Sequence, residues 1–308
     1  MYSLLEVDPQ QSILRYECVG APHAPVLLAL GGISAHRHVV SHTEDASPGW
    51  WEGLSGARRP LDLASRRVLG VDYLDGGRAA DGGPVRTITT RQQAVAIVRL
   101  LDHLGIERLE AVIGASYGGM VALALAAEWP ERIGRLVVIC AAHEPHPMAT
   151  ALRVAQRRIV ELGLATGRAD DCMGIARGIA MTTYRTAREF SERFDAAARI
   201  GGGGVEFDVE RYLRHAGKRF AEQMSPERFL ALSLSADLHR VVPECVAVRT
   251  TVVGAQGDTL VPASQLRSLA RRLPMLDNFI TLRSRFGHDA FLTEPARLGR
   301  LLTAALAH

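Results

Sequence analysis

Aromatic residues make up only 6% of the 308 positions, and no uninterrupted apolar run approaches the ~18 residues that a membrane-spanning helix needs. An excess of one charge is also missing. Lys and Arg total 36 against 33 Asp and Glu, a net +3, and the basic residues are scattered rather than gathered into a tail. That balance offers no surface to a polyanion, so no nucleic-acid partner is expected. Four cysteines (Cys18, Cys140, Cys172 and Cys245) stand far apart, with no CxxC and no Cys/His spacing. A disulfide framework and a zinc ribbon are thereby excluded. The first eight residues carry neither a basic segment nor an apolar core, so no secretory signal is read and the expected compartment is the cytoplasm. What is present is 47% hydrophobic and 22% charged, the balance of a chain that buries one sizeable core.

The apolar pattern alternates between two periods. Short buried runs at 26–30, 67–72, 109–113 and 136–140 read as strands. Between them, 90–104 and 118–127 have helical spacing, the first stopped by Gly105. Strand and helix alternating at this pace predict an α/β fold, with a mostly parallel central sheet and helices on both faces. The alternation breaks from 144 to about 240, where the text is helical with no convincing strand and Gly201–Gly204 reads as a loop. It resumes at 248–253, 263–273, 278–282 and 294–306. The expected organisation is one core, 1–143 and 241–308, interrupted by a helical lid at 144–240.

Gly114-Ala115-Ser116-Tyr117-Gly118 matches GxSxG between a strand and a small-residue helix. In a nucleophile elbow the serine occupies a tight strand-to-helix turn, which needs small flanking residues. A serine nucleophile needs a base, and the base needs an orienting carboxylate. Asp258 lies in the loop after the 248–253 strand, and His288 in Gly287-His288-Asp289 after the 278–282 strand. Both stand at the carboxyl edge of the sheet, where Ser116 also emerges, so Ser116, Asp258 and His288 form the expected triad. The oxyanion site would take the N–H of Tyr117, with Leu30 or its neighbour Gly31 as second donor. His36, His38 and His42 find no carboxylate or cysteine at a ligand spacing, so no metal is expected. Trp50-Trp51 reads as an anchor for its loop.

These motifs resemble the homoserine O-acyltransferases of the α/β-hydrolase superfamily over nearly the whole chain. The resemblance is carried by Pro48-Gly49-Trp50-Trp51, by 111–120 around the elbow and by Gln156-Arg157. It continues through Thr183-Tyr184-Arg185, Glu189-Phe190, Arg193-Phe194, Asp237-Leu238-His239 and Gly287-His288-Asp289-Ala290-Phe291-Leu292. The lid segments are the specific part, since plain esterases share only the elbow. Tyr117 stands where the family usually has methionine, and Leu28-Ala29-Leu30-Gly31-Gly32 replaces a His-Ala-Leu-Thr-Gly type of loop. The Gly-Gly-Ile-Ser-Ala-His segment is similar to the branch assigned to succinyl transfer.

The resemblance implies double displacement from an acyl-CoA co-substrate to L-homoserine, succinyl-CoA being favoured over acetyl-CoA, with no bound cofactor. It implies that Arg157 holds the substrate carboxylate, Asp289 its ammonium, and that Tyr184 faces the pocket from the lid. Arg37, Arg78 and Arg185 are the candidates to meet a succinyl carboxylate. It also implies a homodimer. The competing readings are a serine O-acyltransferase, a carboxylic-ester or thioester hydrolase, and a non-catalytic binding protein on the same scaffold.

Overall fold

The computed structural model describes residues 2–6, 13–75, 88–201 and 204–307. Its strands are β1 (Tyr2–Glu6), β2 (Ile13–Gly20), β3 (Val26–Leu30), β4 (Arg67–Val71), β5 (Ala111–Ala115), β6 (Leu136–Ile139), β7 (Arg199–Gly201), β8 (Gly204–Glu206), β9 (Thr250–Ala255) and β10 (Leu276–Leu282). Helices α1 (Thr90–His103) and α2 (Tyr117–Glu128) belong to the first half of the core. Then come α3 (Pro147–Thr166), α4 (Ala169–Tyr184), α5 (Ala187–Arg193), α6 (Asp208–Gln223) and α7 (Pro226–Asp237), followed by α8 (Ala263–Arg272), α9 (Ala290–Thr293) and α10 (Pro295–Leu306).

Eight strands form one sheet in the order β1-β2-β4-β3-β5-β6-β9-β10. The β1–β2 and β2–β4 pairs are antiparallel, and every pair from β4 to β10 is parallel. Alternation along the strands divides the core between two faces. Leu28, Leu30, Val112, Val138 and Val252 pack with Ala94, Ile97 and Leu101 of α1 and Val121 of α2. Leu27, Ala29, Ile113, Val137 and Val253 pack on the other side with Leu298 and Leu302 of α10. Both faces are dry, which is why these strands read as unbroken apolar runs.

The helices begin and end where their sequences say they should. Thr89 and Gln92 form a capping box at α1, and Gly105 leaves it with φ 64°. Pro147 opens α3 at its first turn, and Gly167, in a left-handed conformation, closes it. Helices α3 to α7 lie in sequence between β6 and β9. Val160, Met173, Ala176, Phe220, Met224 and Phe229 give them a small core of their own. No helix among the described residues is long and apolar enough to cross a membrane.

Two hairpins depart from expectation. The β1–β2 pair was not legible as such, and 144–240 is not purely helical, because β7 and β8 pair across its glycine run. Their residues are largely exposed, so no buried alternation marks them. The strand expected at 109–113 begins at Ala111. Leu109 instead makes an isolated bridge to Ile133.

Candidate active site

Ser116 follows β5 with φ 55° and ψ −120°, a backbone that a residue with a side chain adopts at a cost of ~1–3 kcal/mol. Close packing holds it there. The Ser116 N–H is donated to the carbonyl of Ile139 (2.8 Å), and that of Gly119 to the carbonyl of Ser116 (2.9 Å). A Cβ at Gly118 would overlap the carbonyl oxygens of Leu30 and Gly31, so only glycine lets α2 start this close to β3.

The three residues expected to converge do so. Ser116 Oγ lies 2.8 Å from His288 Nε2, and His288 Nδ1 lies 2.8 Å from Asp258 Oδ2. Asp258 Oδ1 accepts the backbone N–H groups of Leu260 (2.9 Å) and Val261 (3.0 Å), which fixes the carboxylate. With its Nδ1–H committed to Asp258, His288 presents the Nε2 lone pair to the Ser116 hydroxyl. Burial disfavours the imidazolium, but the charge and hydrogen bond of Asp258 and the charge of Asp289 outweigh it. The pKa of His288 is therefore raised, with Arg153 opposing.

Leu30 is correctly placed in the chain as the end of β3, but it is 1% exposed, paired in register with Gly114, and does not line the cavity. The peptide beyond it does. The Gly31 carbonyl accepts the Gly118 N–H (2.9 Å) and the Tyr73 hydroxyl (2.7 Å). In a planar trans peptide the next N–H points the opposite way, so the Gly32 N–H faces away from both donors. Gly32 lines the cavity, and nothing lies within 4 Å of where its Cβ would be. Tyr117 is buried yet polar, so its hydroxyl needs partners. It finds Ser235 Oγ at 2.8 Å and Gln93 Nε2 at 3.4 Å, with the Tyr73 ring edge-on at 4.9 Å. The elbow is thus tied to α7 by a bond that methionine could not make.

The cavity above Ser116 has a volume of about 170 Å³. Tyr184 and Asp289 line it as expected, the Tyr184 ring 5.8 Å from that of His288. Asp289 Oδ2 accepts the Arg185 Nε–H (3.0 Å). Arg157 does not line the cavity. Its Nη1 is bonded to Asp237 Oδ2 (2.6 Å) and Ser233 Oγ (3.0 Å). Arg153, one helical turn earlier, lines it instead and shares Asp237 through Nε (2.7 Å).

Of the arginines considered for a second carboxylate, Arg37 is paired with Asp72 at 2.6 Å and Arg185 with Asp289, while Arg78 lies outside the described residues. A further arginine, Arg177, is found at the cavity. It lines the cavity with its guanidinium over the rings of Phe220 (4.8 Å) and Tyr184 (5.3 Å), and no carboxylate among the described residues is paired with it. Arg153 and Arg177 were detectable only as helical neighbours of the motif residues, at i−4 from Arg157 and i−7 from Tyr184.

The loop after β3 also holds a surprise. Glu17, buried on β2, lies 3.0 Å from His38 Nδ1 and 3.1 Å from His42 Nε2. The carboxylate absent from the local spacing comes from a distant strand. His38 Nε2 is 2.8 Å from the Ser47 carbonyl, which ties the loop closed. Trp51 anchors it through Nε1 to the Phe291 carbonyl (3.0 Å), whereas Trp50 lines the cavity.

Residues 25–295 match the family model described as the alpha/beta hydrolase fold. The homoserine O-succinyltransferase of Xanthomonas campestris pv. campestris is 47% identical over 293 residues, 95% of this chain and 78% of that protein. The L-serine/homoserine O-acetyltransferase of Streptomyces lavendulae is 32% identical, over 96% of this chain and 91% of its own length. The crystal structure of homoserine O-acetyltransferase from Bacillus anthracis superposes with a TM-score of 0.86 at 16% identity, covering 100% of this chain and 97% of that one. Its contribution is the fold, while the two sequence matches carry the kinship. An elbow serine with its base and acid in contact, a helical segment walling the cavity, and this level of identity over nearly the full chain lead to one assignment: the chain belongs to the homoserine O-acyltransferase family, enzymes built on the α/β-hydrolase fold.

Proposed function

We propose that this chain transfers a succinyl group, in preference to acetyl, from CoA to the hydroxyl of L-homoserine, by double displacement through an acyl-Ser116. The observation that carries it is the content of the cavity, where two guanidinium groups (Arg153 and Arg177) and the Asp289 carboxylate stand around the Ser116–His288–Asp258 chain, while the other lining carboxylate, Glu144, is exposed and lies 3.8 Å from Arg240. Homoserine is a zwitterion and succinyl adds a second carboxylate, so Arg153, Arg177 and Asp289 match the charges of the pair of substrates.

His288 Nε2 takes the Ser116 proton as Oγ bonds to the thioester carbonyl carbon. The oxyanion is met by the N–H groups of Tyr117 and Gly32. The C–S bond then breaks and His288 returns the proton to the CoA sulfur. Homoserine enters with its ammonium at Asp289 and its carboxylate at Arg153, which Asp237 holds in place with Arg157 behind. The homoserine hydroxyl gives its proton to His288 and attacks the acyl carbon, and Ser116 leaves and is reprotonated. Arg177 meets the distal carboxylate of the succinyl group.

Water at ~55 M competes for the same acyl-serine, so transfer demands a covered site and a positioned hydroxyl. Helices α3, α4 and α7 supply that cover. We read the compartment as cytoplasmic because acyl-CoA is the donor, and the assembly as a homodimer, for which exposed Ile175, Val205 and Phe207 on the helical segment offer apolar surface.

The test is mass spectrometry of products from an equimolar mixture of acetyl-CoA, succinyl-CoA, homoserine and serine. O-succinylhomoserine should dominate. Release of CoA at a rate indifferent to homoserine would reject transfer in favour of hydrolysis, and a serine product would reassign the acceptor.

A further inference from the structure

Cys140 follows β6 directly, at the carboxyl edge of the sheet and beside the strand that carries Ser116. It is buried, lines the cavity, and has φ 48°, a left-handed backbone that a side chain other than Asn or Asp rarely adopts. The Cys140 N–H is donated to the Val253 carbonyl at 2.8 Å, which locks the residue between β6 and β9. Its sulfur, a carboxylate oxygen of Asp258 and a ring nitrogen of His288 all lie within 4.8 Å of one another. The thiol thus stands against the Asp258 carboxylate, on the side away from the solvent.

A carboxylate offers about four lone-pair sites. Asp258 Oδ1 is filled by two backbone N–H groups, and Oδ2 has accepted only the His288 ring. We propose that the Cys140 thiol fills the remaining site on the Asp258 carboxylate and acts as a positioning residue, holding the acid in the plane of the His288 ring and tempering its charge. The donor is available because burial pushes the thiol pKa well above its usual value, with the charge of Asp258 adding to the effect, so the group stays S–H at neutral pH. A carboxylate that shares its charge with an S–H stabilises the imidazolium less, and His288 is then neutral, and able to accept a proton, over a wider range of pH. The groups facing His288 are Ser116 from the elbow, Asp258 after β9, Cys140 after β6, Asp289 beside it, Arg153 from α3 and Tyr184 from α4. Of these, Cys140 is the one that acts on the ring through the acid.

The inference rests on the triad assigned above but not on the acyl acceptor, and its test uses neither CoA nor homoserine. The rate of Ser116 phosphonylation by a fluorophosphonate probe is measured against pH for the wild type, Cys140→Ser, Cys140→Ala and Cys140→Gly. Serine keeps a donor and alanine removes it on the same strained backbone, while glycine removes the donor and relieves the strain. In Ala and Gly the acid limb should move to higher pH by about half a pH unit, with the plateau rate about threefold lower, and Ser should restore the wild-type limb. Where Ala does not fold, the Ser–Gly comparison carries the same test. Limbs that coincide for all variants, or a Ser limb displaced as far as Ala or Gly, would overturn the proposal and leave Cys140 as packing. Wild-type protein that is never labelled would instead remove the triad reading itself.

Discussion

Tyr73 donates its hydroxyl to the carbonyl of Gly31, 2.7 Å away, and so helps to set which way the next N–H points. The other donor to that carbonyl is the Gly118 N–H. One bond alone leaves the 31–32 peptide free to tilt about it. Tyr73→Phe should therefore lower kcat by about tenfold, the size of a partly misaligned oxyanion donor, with little change in KM for homoserine. Steady-state kinetics on succinyl-CoA check this. An unchanged kcat would mean that Gly118 suffices.

Arg177 decides the donor if its guanidinium reads the far end of the acyl chain. Replacing it with leucine keeps the contacts to Phe220 and Tyr184 but removes the cation. The kcat/KM for succinyl-CoA should then fall by about 10–100-fold, the equivalent of ~1.5–3 kcal/mol for a charge-assisted hydrogen bond, while that for acetyl-CoA stays within a factor of about two. Equal losses on both donors would assign Arg177 to homoserine binding or to lid packing.

The difference between what could and could not be read from the text has a physical basis. Ser116, Asp258 and His288 each follow an apolar run at a strand's carboxyl end, and the sheet brings such ends together by construction. The core strands were legible because both faces are dry, so burial writes itself into every residue of Leu28 or Val252 type. Glu17, Cys140 and Tyr73 leave no such mark. Each meets its partner across the sheet or between loops, and nothing in the local spacing announces a contact made 21 residues away, as between Glu17 and His38. Leu30 ends β3 while Gly32 lines the cavity, and a run such as Ala29-Leu30-Gly31-Gly32 does not show where the strand gives way to the loop. Arg157 drew attention as the motif residue, while the cation lining the cavity sits one turn away on the same helix.

The Glu17–His38 pair should make stability depend on pH in a defined direction. Burial lowers the pKa of His38, but the Ser47 carbonyl and the hydrogen bond and charge of Glu17 more than compensate, with Asp45 adding its charge from 3.9 Å, so the folded value is raised. A raised histidine stabilises the fold fully below its unfolded value of ~6.5 and loses that contribution as pH rises through the folded value. Glu17→Gln should therefore cost the most melting temperature near pH ~6 and progressively less toward pH ~9. Thermal unfolding of both proteins across that range checks it. A difference that grows with pH would show that the pair is not an ion pair.

Asp289 separates the two halves of the reaction. It touches no part of the thioester in the proposed scheme, so Asp289→Asn should leave formation of the acyl-enzyme, read as the burst of CoA release without acceptor, within about twofold of wild type. The second half loses the charge that holds the homoserine ammonium, and KM for homoserine should rise by about 10–100-fold. The substitution also removes one of the two carboxylates paired with Arg185, whose Nε bonds Asp289 at 3.0 Å and whose Nη1 keeps Glu189 at 3.8 Å. Loss of the charge near His288 acts in the same experiment with a different signature. Asp289 raises the pKa of the ring, so the acid limb of the burst rate should move to lower pH even as its plateau is kept. A burst that disappears would place Asp289 in the first half and remove it from acceptor binding, and an unchanged KM would leave the ammonium without its partner.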